Sequence, residues 1–251
     1  MPRPSRVQFF ATCLVDVFSP SVGLAAVAVL ERLGVGVDVV PDQTCCGQPA
    51  FNGGFVEEAA AMARHTIDVL SRSPDPVVVP SGSCADMIAG RYPEIFDGDA
   101  VYGPKARALA ERTYEFCQFL ADVLGAGLPA AASGPALAYH ASCHGLRGLG
   151  LRAQPRAVLR AVAGGRCRDL PDAEVCCGFG GVFAVKMGPL SGAMLESKLD
   201  AVEASGADFV VATDLSCLMH IGGGLRRRGS RAAARHIAEV VADAFAEDRR
   251  E

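Results

Sequence analysis

Short apolar runs separated by longer amphipathic stretches set the rhythm of the chain. Val7–Ala11, Val37–Val40, Val77–Val79, Leu137–His140 and Phe209–Ala212 are aliphatic and partly β-branched, and too short for helices. Near-continuous runs of this kind fit strands buried on both faces, as in a parallel sheet. Helical patterns occupy Val22–Leu33, Val56–Ser71, Pro104–Leu124, Pro155–Ala163, Pro189–Ala204 and Ala232–Ala246, several opened by Ser or Pro and closed near Gly, the usual punctuation of helix ends. Strands alternating with helices predict an α/β architecture with parallel sheets. His65 and His236 fall in the helical patterns and are expected to be solvated.

The pattern runs twice. "VQFFATC" is matched by "LAYHASC", "PDQTCCG" by "PDAEVCCG", and "PVVVPSGSC" by "DFVVATDLSC". Four cysteines, Cys13, Cys45, Cys46 and Cys84, recur in order as Cys143, Cys176, Cys177 and Cys217, at offsets of 130, 131, 131 and 133 residues. An internal repeat takes precedence over any other fold argument. The prediction is two pseudo-symmetric repeats, each a parallel sheet flanked by helices, with the cysteines in turns at strand C-terminal ends, where open α/β sheets bind their ligands. Residues 1–124 form the N-terminal Cys-Cys-Gly repeat and 137–251 the C-terminal one, joined by the Gly-, Pro- and Ala-rich linker 125–136.

Composition excludes several function classes. The chain has 251 residues, half of them apolar, and a net charge of −4. Its densest basic cluster, Arg226, Arg227 and Arg228, reads as a solvated helix end, so neither nucleic acid nor anionic lipid is an expected partner. The N-terminal stretch is apolar with a basic start, but Asp16, Pro20, Glu31 and Arg32 interrupt it; no transmembrane segment or signal sequence is expected, and the reading is cytoplasmic. Ten cysteines in a chain of this length fit a disulfide framework poorly and point to metal binding or redox chemistry.

The eight repeated cysteines are the candidate metal ligands. Adjacent cysteines make a strained disulfide but readily give two thiolates to one centre. Four thiolates per repeat satisfy an iron–sulfur cluster, and zinc accepts the same number. Cys117 and Cys167 have no counterpart and read as buried structural residues. Gly47 and Gly178 follow the cysteine pairs where the backbone must bend round a ligand. His140 and His144 flank Cys143 and His220 follows Cys217, whereas the first repeat has no histidine in those places. His144, His220 and Lys186 are therefore the candidates for catalysis, with Arg147 beside Lys186 as a cation for a substrate carboxylate. "GFGG" and "IGGGL" lack the spacing of a dinucleotide fingerprint, so a bound nicotinamide or flavin is not expected.

The paired Cys-Cys-Gly plan resembles a family of cysteine-rich iron–sulfur proteins that includes the cysteine-rich subunit of heterodisulfide reductase and the iron–sulfur subunits of glycolate oxidase and of anaerobic glycerol-3-phosphate dehydrogenase. The stretch "CCGFGGVFAVKMGPLSGAMLESKLDAVEASGADFVVATDLSCLMHIGG" is most similar to the small stand-alone lactate-utilization branch, and the likeness extends over nearly the whole chain. That resemblance implies an iron–sulfur cluster, 4Fe–4S in type, one or two per chain, and zinc as a substitute metal. It also implies a place in a complex oxidising L-lactate to pyruvate, with a larger iron–sulfur subunit and a third small subunit as companions. The alternatives are a thiol–disulfide oxidoreductase of the heterodisulfide reductase kind and a zinc-binding scaffold. The family pattern ends each repeat in Cys-x-x-Cys; here Met87 and His220 stand in the last position, leaving four repeated cysteines per half. Phe179 and Phe183, beside the second pair, are candidate apolar anchors for a partner.

Overall fold

The computed structural model describes residues 3–131 and 133–247. Strands β1 (Arg6–Phe9), β2 (Gly36–Val39), β3 (Val77–Val79) and β4 (Thr113–Glu115) form a parallel sheet in the order β2-β1-β3-β4. Strands β5 (Leu137–Tyr139), β6 (Cys167–Asp169), β7 (Phe209–Ala212) and β8 (Ala233–His236) repeat that order as β6-β5-β7-β8, again all parallel. The expected α/β fold with two pseudo-symmetric parallel sheets flanked by helices is the observed one. In each sheet the chain leaves the first strand for one edge and returns to its other side. The loops after the first and third strands consequently diverge and open a crevice at the strand C-terminal ends.

The central strands follow directly from their residues: Val77–Val79 and Leu137–Tyr139 are wholly buried. Three of the four edge strands, β4, β6 and β8, "TYE", "CRD" and "AARH", are short and polar and carry no apolar run. Two expected helices are corrected as a result. Over 104–124 the chain forms a helix Tyr102–Ala110, then β4, then a helical segment from Phe116 that passes into a π-helical turn at Phe119–Val123. Over 232–246 it forms β8 and then the helix Ile237–Glu247. His236 accordingly ends a strand, is only 1% exposed, and sits with Nε2 3.0 Å from the Thr213 carbonyl oxygen; it is not solvated. His65 lies on the exposed side of the helix Val56–Leu70.

One long helix, Leu215–Arg228, runs through Gly222, Gly223 and Gly224, a triplet that reads as a breaker. It is retained because close packing requires the absent side chains. A Cβ on Gly222 would lie 3.1 Å from the Ala234 Cβ, and one on Gly224 would lie 2.7 Å from Leu199 Cδ1.

The largest apolar core joins the two repeats. Ala26, Val29 and Leu30 of the helix Pro20–Arg32 share it with Ile237, Ala238 and Val241 of the last helix, between β1 and β3 residues on one side and β5 and β7 residues on the other. Arg32 donates to the Phe245 carbonyl (3.0 Å) and Ser21 to Glu239 (3.0 Å) along the same seam. Burial of this shared surface fixes one set of strand ends against the other. Among the described residues no helix is long and apolar enough to cross a membrane.

Candidate metal centre

All eight repeated cysteines line a single cavity of about 270 Å³ between the strand ends of the two sheets. Cys13 opens the helix Cys13–Phe18 after β1, Cys84 lies in the first turn of Gly82–Asp86 after β3, and Cys217 in the first turn of Leu215–Arg228 after β7. Thr12 accepts from Val15 N and Ser81 from Cys84 N, so capped helix N-termini hold Cys13 and Cys84 in place. A five-residue π-helical turn, Met87–Arg91, follows the Cys84 helix, and another, His144–Gly148, begins immediately after Cys143. Such turns are frequent at functional sites.

The adjacent cysteines are shaped by their loops. Asp42 and Asp172, matched residues after β2 and β6, both take positive φ, 66° and 52°, a conformation Asp tolerates better than most residues. Their carbonyls are held from the next long helix, by His65 Nε2 at 2.7 Å and Lys198 Nζ at 2.8 Å. Gly47 and Gly178 then turn with φ of 86° and 89°, aiming their N–H groups back at the Cys45 and Cys176 sulfurs, 3.5 and 3.3 Å away. Tyr92 donates to the Cys46 carbonyl at 2.8 Å and fixes the first pair from beneath.

Within the first set, Cys13 and Cys45 sulfurs lie 3.9 Å apart and Cys46 and Cys84 sulfurs 3.4 Å apart. Hydrogen bonds from Cys13 and Cys46 hold the Cys45 thiol far below its ordinary value, while Cys13 and Cys46 are pushed up by Cys45 beside them and by burial. The second set repeats this: Cys176 is held down by Cys143 and Cys177, which are themselves pushed up. Cys217 is held down at about 6, chiefly by Cys177. Thiols this close oppose one another's ionisation, and a cation among them removes that opposition.

A second observation points the same way. His140 is 0% exposed, and neither of its ring nitrogens has a hydrogen-bond partner among the described residues. A buried polar atom left unpaired costs about 1–3 kcal/mol, and one His140 nitrogen lies within 4.8 Å of the Cys177 and Cys217 sulfurs. Sulfur-rich donor sets with one imidazole suit zinc or iron–sulfur groups, so these residues fit a metal group.

The two sets meet across the pseudo-two-fold. Ser81 donates to the carboxylate of Asp214, its counterpart in the other repeat, at 2.8 Å, and Ser83 N donates to the same oxygen at 2.9 Å. The other oxygen of Asp214, a residue 2% exposed, has no partner among the described residues. Asp86, also buried, accepts a hydrogen bond from His144 Nδ1 at 2.7 Å, which raises the imidazole above its ordinary value. Gln48, donating to the Ser83 carbonyl at 2.8 Å, completes this wall.

Of the three candidate catalytic residues, His144 lines the cavity. His220 lies behind Phe179, ring centroids 5.8 Å apart, with Nε2 3.4 Å from Ser191 Oγ, and Lys186 is exposed at the end of the helix Val182–Lys186. Neither lines the cavity. Arg147 reaches the Glu174 carbonyl. Cys117 is fully buried in the shared core and Cys167 begins β6, both away from the cavity. Phe179 lines the cavity and Phe183 is half-buried behind it. Asp86, Asp214, Ser81 and Gln48 have no signal in the sequence by themselves. Alignment of "PSGSC" with "TDLSC" nonetheless places Ser81 opposite Asp214.

Two parallel α/β sheets that pool eight cysteines at their strand ends define a protein of the paired cysteine-rich class. The chain belongs to the cysteine-rich (CCG) domain family, whose model matches residues 7–89 and again residues 137–222. It is 46% identical to lactate utilization protein A of a Geobacillus species, over 94% of this chain and 98% of that protein. It is 44% identical, with the same coverage, to the lactate utilization protein A of Bacillus cereus and of Anoxybacillus flavithermus. A hypothetical protein from Helicobacter pylori shares the fold at 12% identity and a TM-score of 0.59; the match covers 96% of this chain and 49% of that one.

Proposed function

We propose that this chain is the iron–sulfur subunit of an L-lactate-oxidising electron-transfer complex. The observation that carries the reading is the convergence of eight cysteines, four per repeat, on one cavity, in a chain whose relatives bear the name lactate utilization protein A. Cys13, Cys45, Cys46 and Cys84 hold one group and Cys143, Cys176, Cys177 and Cys217 the other. Iron–sulfur groups of the 4Fe–4S type supply one-electron redox capacity when bound, and zinc occupies the same thiolates as a substitute.

The protein's own residues supply the rest. Lactate gives up two electrons and two protons in becoming pyruvate, so a proton acceptor must stand beside the electron acceptor. Asp86 holds His144 through Nδ1, which leaves Nε2 as the proton-accepting atom at the cavity. Serine and glutamine side chains on the cavity wall, Ser81, Ser142, Ser216 and Gln48, suit a small hydroxy acid in size and polarity. Electrons leave through a companion iron–sulfur subunit, with a third small subunit completing the complex.

The test is anaerobic, lactate-dependent dye reduction, measured for this subunit alone and with its companions. Turnover is expected only in the reconstituted complex, and His144→Ala is expected to lower kcat at least ~100-fold, a typical loss for a proton-transfer group. Full-rate turnover by the isolated subunit, or none by the complex, overturns the reading.

A further inference from the structure

The two cysteine sets are matched in sulfur but not in what lies behind it. Position 10, three residues before Cys13, is Phe10, 1% exposed; position 140, three before Cys143, is His140, 0% exposed. In the first repeat an apolar ring fills the space at the end of β1. In the second a ring of similar breadth brings two nitrogens into the same place, and neither finds a partner among the described residues. A histidine kept for packing alone would leave both nitrogens unpaired at a position where phenylalanine demonstrably packs. The buried imidazole instead has the Cys177 and Cys217 sulfurs within 4.8 Å of one ring nitrogen, while His236 shows how a merely structural histidine in this fold is treated, with Nε2 on the Thr213 carbonyl and Nδ1 accepting from Ala238 N at 3.2 Å.

We propose that His140 is a nitrogen ligand of the second metal site, making the two sites chemically unequal: four thiolates in the first repeat, and thiolates plus one neutral imidazole in the second. This rests on the metal-holding part of the function proposed above and is independent of lactate. The consequence for redox chemistry is directional. His140 adds a neutral donor to the four thiolates, where a cysteine in its place would add a negative charge and lower the reduction potential. His220, which stands where the family has its last cysteine, is separated from this role by Phe179.

The experiment uses the full chain prepared anaerobically with iron and sulfide, grown with histidine labelled with the heavy nitrogen isotope, and reduced for pulsed electron paramagnetic resonance. One strongly coupled histidine nitrogen is expected. It disappears in His140→Phe, which reproduces the packing of Phe10, and persists in His236→Gln. In His140→Cys the second site is expected to keep its iron and to shift to lower potential. A protein that carries iron and sulfide but shows no coupled nitrogen, or retains the coupling in His140→Phe, overturns the assignment of His140 and leaves the cysteine sites standing. A protein that takes up no iron overturns both.

Discussion

Serine at Cys176 or Cys217 is expected to empty the proposed second metal site and to leave the first filled. The sulfurs of each repeat hang from their own sheet, with Cys13, Cys45, Cys46 and Cys84 after β1, β2 and β3, and Cys143, Cys176, Cys177 and Cys217 after β5, β6 and β7. A hydroxyl is a far weaker ligand than thiolate for a soft metal. Removing one of four sulfurs also leaves the other three crowded without a compensating cation. Metal analysis of anaerobically purified protein is expected to fall by about half for either variant. Cys117→Ser and Cys167→Ser are expected to leave it unchanged, since neither residue lines the cavity. Equal loss at all ten positions contradicts the ligand assignment.

Alanine at Gly178 unfolds the second Cys-Cys-Gly loop, and alanine at Gly47 does so much less. Both glycines need positive φ, at 89° and 86°, which costs a side-chain-bearing residue roughly 1–2 kcal/mol. They differ in surroundings. A Cβ on Gly178 would come within 2.7 Å of the Ser191 carbonyl oxygen and 2.9 Å of the Met194 Cβ, whereas on Gly47 the nearest atoms, Met62 Cβ and Ala59 O, are 3.2 and 3.3 Å away. Ser191 cannot retreat freely, because its hydroxyl donates to the Gly178 carbonyl at 2.7 Å. Overpacking against such backbone adds about 1–3 kcal/mol. Thermal unfolding should place Gly178→Ala about 3 kcal/mol below wild type, or roughly 6–12 °C in Tm for a chain of this size, with Gly47→Ala near half that. Equal shifts for the two would contradict the packing account.

Much of this was legible in the sequence because the repeat is chemical as well as structural. Cysteines at constant offsets fixed which loops correspond, and the Val-rich runs identified the central strands. Of the edge strands only β2 was legible, through Val37–Val40; "TYE" and "AARH" owe their conformation to the backbone of β3 and β7 beside them, and a half-polar run of three or four residues has no periodicity to read. The helix through Gly222–Gly224 was hidden for a related reason, since its glycines answer to Ala234 and Leu199, which are distant in sequence. The buried acidic residues Asp86 and Asp214 acquire their roles only across the interface between repeats. Asp86 acts through His144 of the second repeat, and Asp214 through Ser81 and Ser83 of the first.

The most direct test of the two-site account is the content of iron and acid-labile sulfide in wild-type protein purified and reconstituted without oxygen, with zinc measured on the same sample. Brown protein is expected, with iron and sulfide in near-equal amounts, shared between two sites that can be emptied separately. Colourless protein that binds zinc tightly, and takes up neither iron nor sulfide on reconstitution, would contradict it.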